Sequence, residues 1–113
     1  GVDDLHQIIY NLTENAIKYN RPGGFVRVTL GGTEDECVLR VEDNGIGIPE
    51  EDRPRVFDRF YRCDEARKSQ TSGHGLGLSI ARIIVSAHGG HLRVRSKVGV
   101  GTTFTACLPL EKS

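Results

Sequence analysis

The chain has 113 residues, with 15 Lys and Arg against 15 Asp and Glu, and so no formal net charge. That length suits one domain, residues 1–113, with a real hydrophobic core. The charge balance argues against a broad basic surface for nucleic acid or anionic membrane, while leaving room for a local basic pocket. Cys37, Cys63 and Cys107 are too few and too scattered for a disulfide framework or a metal motif. No run is long enough to cross a bilayer and no signal peptide is visible, so a cytosolic setting with reduced thiols is expected.

Residues 3 to 19 read as a helix, with Asp3 or Asp4 as its cap. Leu5, Ile8, Ile9, Leu12 and Ala16 form one apolar stripe at helical spacing. Asn11, Asn15 and Lys18 line up beside it. Asn is a mediocre helix former because its amide competes with the backbone, so two of them one turn apart invite a reason. One reading offers the amide oxygens to a cation and Lys18 to an anion such as phosphate. The other is a solvated flank carrying a Glu14–Lys18 pair.

Arg21-Pro22-Gly23-Gly24 ends the helix. Phe25 to Leu30 alternates as a strand, Gly31 to Glu36 turns, and Cys37 to Glu42 is the antiparallel partner. Asp43-Asn44-Gly45-Ile46-Gly47-Ile48 follows. Read by itself, Asn-Gly is an ordinary turn signal. It also places a carboxylate at a strand end beside two glycines, which permit close approach of a ligand or another backbone.

Pro49 opens a short helix with Glu50, Glu51 and Asp52 in its first turn, where the helix dipole favours acids. Val56, Phe57 and Phe60 are its apolar anchors, with Arg59 and Arg62 among them. Residues 63–74 have no apolar period and read as a lid-like loop. Gly75-Leu76-Gly77-Leu78-Ser79 then opens a helix running to His88, with Leu76, Ile80, Ile83, Ile84 and Ala87 expected on its buried stripe. Gly73, Gly75 and Gly77 at that helix mouth leave N–H groups bare for an anion. His91 to Val98 and Thr102 to Pro109 are two further strands about a Gly99-Val100-Gly101 turn. Two amides and a lysine, a carboxylate in a glycine loop, an anion cradle and a polar cover together suit Mg-ATP. Mg²⁺ takes few protein oxygens and keeps phosphate and water ligands, so one Asn amide could suffice.

The segments NLTENAIKYN (11–20), DNGIGI (43–48), FDRFYR (57–62), GHGLGLSI (73–80) and GVGTTF (99–104) resemble, in order, the N, G1, F, G2 and G3 boxes of sensor histidine kinases. The likeness covers almost the whole chain. It implies an α+β fold, the two-layer Bergerat sandwich, with helices on one face of a mixed, mostly antiparallel sheet. It also implies ATP and Mg²⁺ as ligands. Asp43 would accept from the adenine amine, Asn15 would hold Mg²⁺ with Asn11 in support, and Lys18 and Tyr19 would face phosphate and ribose. Arg62 would reach the terminal phosphate, and Gly73, Gly75, Leu76, Gly77 and Leu78 would wrap the phosphates. Gly45, Gly47, Ile48, His74 and Thr103 complete the expected nucleotide contacts, and Asn11, Lys18 and Arg62 the catalytic set.

In the related ATPases a glutamate that activates water stands where this chain has Asn11. An amide is a poor base, which fits phosphoryl transfer to a side chain rather than hydrolysis. None of His6, His74, His88 and His91 sits on a phosphoacceptor helix hairpin. The acceptor histidine is therefore expected on a separate dimerisation domain, and the resemblance further implies a homodimeric parent, a response regulator downstream, and a cytoplasmic domain of a parent for which membrane anchorage is left open. Two rivals stay open. One is an ATPase or serine kinase of the same fold, against which Asn11 speaks. The other is a non-catalytic signalling module, against which the complete set of motifs speaks.

Overall fold

The computed structural model describes residues 2–57 and 77–110. Helix α1 spans Val2–Lys18, with Asp3 and Asp4 in its first turn and Lys18 in its last, both favourable to the helix dipole. Ile8, Leu12 and Ala16, each four residues apart, are fully buried. The helix stops at a tight turn in which Gly24 N–H donates to Arg21 O at 3.0 Å. Pro22 stands at the second position and Gly23 at the third with φ +78°, the arrangement of a type II turn.

Strands β1 (Val26–Gly32) and β2 (Glu36–Asp43) form the expected hairpin. Its loop is held by Thr33, whose N–H donates to Glu36 O and whose Oγ1 accepts from the N–H groups of Asp35 and Glu36. Strands β3 (His91–Lys97) and β4 (Gly101–Pro109) complete a four-stranded sheet in the order β1-β2-β4-β3. All three pairings are antiparallel, so the sheet of the described residues is wholly antiparallel, without the parallel pair a mixed sheet would have.

Alternation decides the faces. Leu39, Val41, Phe104 and Ala106 point to the helices and are fully buried against α1 and against α2 (Gly77–Ala87). At the β1 edge the helices no longer cover the sheet. Val28 and Leu30 lie opposite Val41 and Leu39 on the same face, yet Leu30 is 57% exposed. The segment after Pro49 is a 3₁₀ helix, Glu50–Arg55, fixed by the residues that follow it. Val56 is buried, and the Phe57 ring meets Phe104 edge-on at 6.0 Å.

Helix α2 corrects the expected stripe. Ala81 and Val85 are the fully buried positions, flanked by Leu78 and Ile84, while Ile83 is 62% exposed and Ile80 39%. The buried face is thus rotated from the one expected, because the helix is apolar on most sides and its small side chains allow the closest approach to α1. Leu76 and Phe60 lie outside the described residues.

A clasp joins the two helices at their far ends, where His88 Nε2 lies 2.9 Å from Asp4 Oδ2. This hydrogen bond is the main reason the Asp4 carboxyl is held below its usual value. A depressed folded pKa contributes stability above the unfolded value and loses it as pH falls through the folded one. His88→Ala is therefore expected to lower stability modestly at neutral pH, with the difference from wild type disappearing as pH falls below the Asp4 carboxyl range, as thermal unfolding followed by circular dichroism across pH would record.

Candidate functional site

Three segments meet at the end of β2: residues 19–25 after α1, the loop 43–48, and residues 96–102 about the β3–β4 turn. Asp43 closes β2 opposite Thr102. Its Oδ1 accepts the Gly45 N–H at 2.8 Å, an Asx turn that aims the side chain. Partial burial pushes its carboxyl above the usual carboxylate range, while the N–H groups of Gly45 and Thr102 pull it back. Two backbone donors leave a carboxylate with lone pairs to spare for an amino group.

The glycines of this loop have partners the sequence did not reveal. A Cβ on Gly45 would lie 2.5 Å from Tyr19 O and 2.9 Å from Asn20 Cα. Gly47, at φ +77°, leaves no room for a Cβ beside Lys97 O. The space they provide is taken by the end of α1 and the end of β3, and not by open room for a ligand. Ile46 N–H donates to Tyr19 O at 3.2 Å, and Gly99 N–H donates to Ile46 O at 3.0 Å. The loop is therefore stitched to both neighbours.

Side chains absent from the sequence-derived set complete the stitching. Asn44 Oδ1 accepts the Phe25 N–H at 2.6 Å, and Asn20 Nδ2 donates to Phe25 O at 2.8 Å. Arg21 donates from Nε to Asn44 O at 2.5 Å, and from Nη2 to Gly45 O at 3.2 Å and to Gly99 O at 2.9 Å. Ser96 Oγ accepts the Ile48 N–H at 2.7 Å, lies 2.8 Å from Thr102 Oγ1, and donates to Gly101 O at 3.0 Å. A hydroxyl has one proton, so once Ser96 gives its own to Gly101, Thr102 must be the donor between them.

Thr103 stands in β4. It pairs with Glu42 and so projects from the opposite face to Asp43, whereas buried Thr102 shares the Asp43 face. Ile48 packs against the core through its side chain.

On α1, Asn11 is 7% exposed. Its Oδ1 accepts from Gln7 Nε2 at 3.0 Å, and its Nδ2 is buried without a partner among the described residues. Such an orphan amide costs free energy unless something else meets it. Asn15, one turn on, is half-buried, and its backbone carbonyl accepts the Tyr19 N–H. Lys18 Nζ lies 3.5 Å from Glu14 Oε1, so the flank pair exists beside the amides. Gly77 and Leu78 open α2, and Leu78 leans on the core. Arg59, Arg62, the segment 63–74, Gly73, His74 and Gly75 lie outside the described residues.

Comparison with known proteins agrees with this arrangement. The sequence model of the family described as "Histidine kinase-, DNA gyrase B-, and HSP90-like ATPase" matches residues 1–112. The sensor protein SrrB of Staphylococcus aureus is 43% identical over 108 residues, which are 96% of this chain and 18% of SrrB. The solved structure of the mycobacterial sensor histidine kinase MprB superposes with a TM-score of 0.85 at 37% identity, covering 96% of this chain and 74% of that one. Full-length ShkA in complex with AMPPNP superposes at 0.81 with 30% identity, covering 97% of this chain and 22% of ShkA. This chain belongs to the histidine kinase-, DNA gyrase B- and HSP90-like ATPase family, as an ATP-binding domain of the sensor histidine kinase kind.

Proposed function

We infer that the chain binds Mg-ATP and serves as the catalytic domain of a two-component sensor kinase, donating the γ-phosphoryl group to a histidine on a separate dimerisation domain. The observation that carries this reading is Asp43: a partly buried carboxylate, aimed by Gly45 and Thr102, in a loop pinned on both sides. Such an acceptor suits an adenine exocyclic amine and disfavours the carbonyl that guanine presents there. At the other end of the ligand, Asn15 would offer its amide oxygen to Mg²⁺, with nucleotide phosphates and water as the remaining ligands. The orphan nitrogen of Asn11 fits beside it as a donor to a phosphate oxygen or to a water. Bound Mg²⁺ would neutralise the charge that develops on the phosphates.

Asn11 also bears on the reaction class. Its oxygen is engaged by Gln7 and the part left over is a donor, so neither end can take a proton from water. That favours transfer to a protein side chain over hydrolysis. Lys18, Tyr19, Arg62, Gly73, His74, Gly75, Leu76, Gly77 and Leu78 are proposed to meet the phosphates and ribose. The chain spans 18% of SrrB, so the acceptor histidine domain, a homodimeric parent, membrane anchorage and a response regulator all belong to this proposal. Among the described residues no helix is long and apolar enough to cross a membrane.

Isothermal titration with ATP, with and without Mg²⁺, tests the reading. Asn15→Ala is expected to bring the affinity measured with Mg²⁺ down to the wild-type value without it. An Asn15→Ala protein that keeps the full Mg²⁺ increment sinks the metal assignment, and wild-type protein that ignores ATP sinks the reading as a whole.

A further inference from the structure

The geometry points to Arg21 as the residue that positions the adenine-selecting loop, an inference that rests on the nucleotide reading above. Arg21 stands three residues beyond the end of α1 and before Pro22, a neighbour that biases it away from helical dihedrals. Its guanidinium then reaches three carbonyls in two other segments: Asn44 O and Gly45 O in the loop, and Gly99 O in the β3–β4 turn. A planar fork of fixed donors can span such a set. An ammonium on a flexible stem is a point charge and cannot hold the same three directions.

The two loop carbonyls belong to the residues that follow Asp43. The peptide N–H of Gly45 is the donor that aims the Asp43 carboxylate. Arg21 grips this peptide from its other face, and the Gly99 contact ties the same grip to a turn 78 positions away in sequence. Its charge is thus committed to backbone carbonyls and does not point at a phosphate. Nothing in the polar pattern of the sequence marks it, since its partners are main-chain atoms.

The test compares Arg21→Ala and Arg21→Lys with wild type, titrating ATP and inorganic tripolyphosphate in the presence of Mg²⁺. Both variants are expected to bind ATP about three- to tenfold more weakly, the cost of re-ordering a loosened loop. Both are expected to bind tripolyphosphate as wild type does. Arg21→Ala combined with Asp43→Asn is expected to lose less than the two single losses together, because both act through one carboxylate. Hydrogen exchange should quicken at the amides of Gly45, Ile46 and Gly99 in Arg21→Ala and stay unchanged in strands β2 and β4, which also reports that the variant is folded.

If Arg21→Lys restores ATP affinity, or if tripolyphosphate binding falls in step with ATP, Arg21 acts as a charge and the positioning role is overturned. Unchanged ATP affinity and unchanged exchange in Arg21→Ala overturn it as well, with the nucleotide reading intact. Wild-type protein that fails to bind ATP overturns both.

Discussion

Asp43→Asn is expected to weaken ATP binding about ten- to a hundredfold, since losing a hydrogen bond to a charged acceptor costs roughly 1.5–3 kcal/mol. The same substitution is expected to leave the melting temperature unchanged or higher. Burial raises the Asp43 carboxyl above its ordinary value. Between the unfolded and folded values the native state holds a proton that the unfolded chain has released, so stability falls as pH rises through that window. At neutral pH the ionised side chain therefore costs stability, and an amide removes the charge while its oxygen still accepts from Gly45. Calorimetric titration and thermal unfolding on one sample should move in opposite senses, or the first alone should move. A variant that binds ATP within twofold of wild type ends the adenine assignment. Wild-type affinity should itself decline as pH falls into the raised carboxyl range, and Asp43→Asn should flatten that decline.

Gly101→Ala carries the larger structural cost. Gly101 has φ +143°, a region L side chains rarely adopt, and a Cβ there would overlap the Asp43 carbonyl oxygen. Backbone strain and enforced displacement of β2 from β4 together are expected to destabilise the domain by about 2–5 kcal/mol. The displaced atom belongs to Asp43, so ATP binding should fail in whatever fraction stays folded. Gly31→Ala is the control: its φ is ordinary and no atom lies within 4 Å of the added methyl. Urea unfolding should separate the two, with Gly31→Ala within about 0.5 kcal/mol of wild type. Equal stabilities would mean that β4 can leave Asp43 without penalty.

The strands were legible because alternation is strict wherever one face is buried. The predicted Cys37–Glu42 and observed Glu36–Asp43 differ by one residue at each end. The same alternation rule, applied without the register, could not tell that Thr102, and not Thr103, shares the face of Asp43; the strand pairing shows it. Helix α1 was legible for a different reason: its apolar stripe is narrow and its other side is polar. Helix α2 lacks that contrast, so the expected stripe took in Ile80 and Ile83 and left out Ala81 and Val85, and only packing against α1 distinguishes them.

At the site, Asp43 and the two amides stand out in the sequence because their side chains are unusual for their elements. The grip on the loop does not, because Arg21, Asn20 and Asn44 act on backbone atoms of residues far along the chain. Gly45 and Gly47 were recognised as needed space, but what fills that space depends on where α1 and β3 end.

The bridge from Arg21 to Gly99 also bears on how the domain assembles. The Asn-bearing helix and the Asp43 loop are complete within the first half of the chain, yet the turn that braces them arrives with the final hairpin, and β4 is the strand on which Asp43 leans. On the proposed nucleotide reading, a chain lacking the final hairpin would hold Asn11, Asn15 and Asp43 without the turn and strand that brace the Asp43 loop, and bound nucleotide would stabilise the completed fold by mass action.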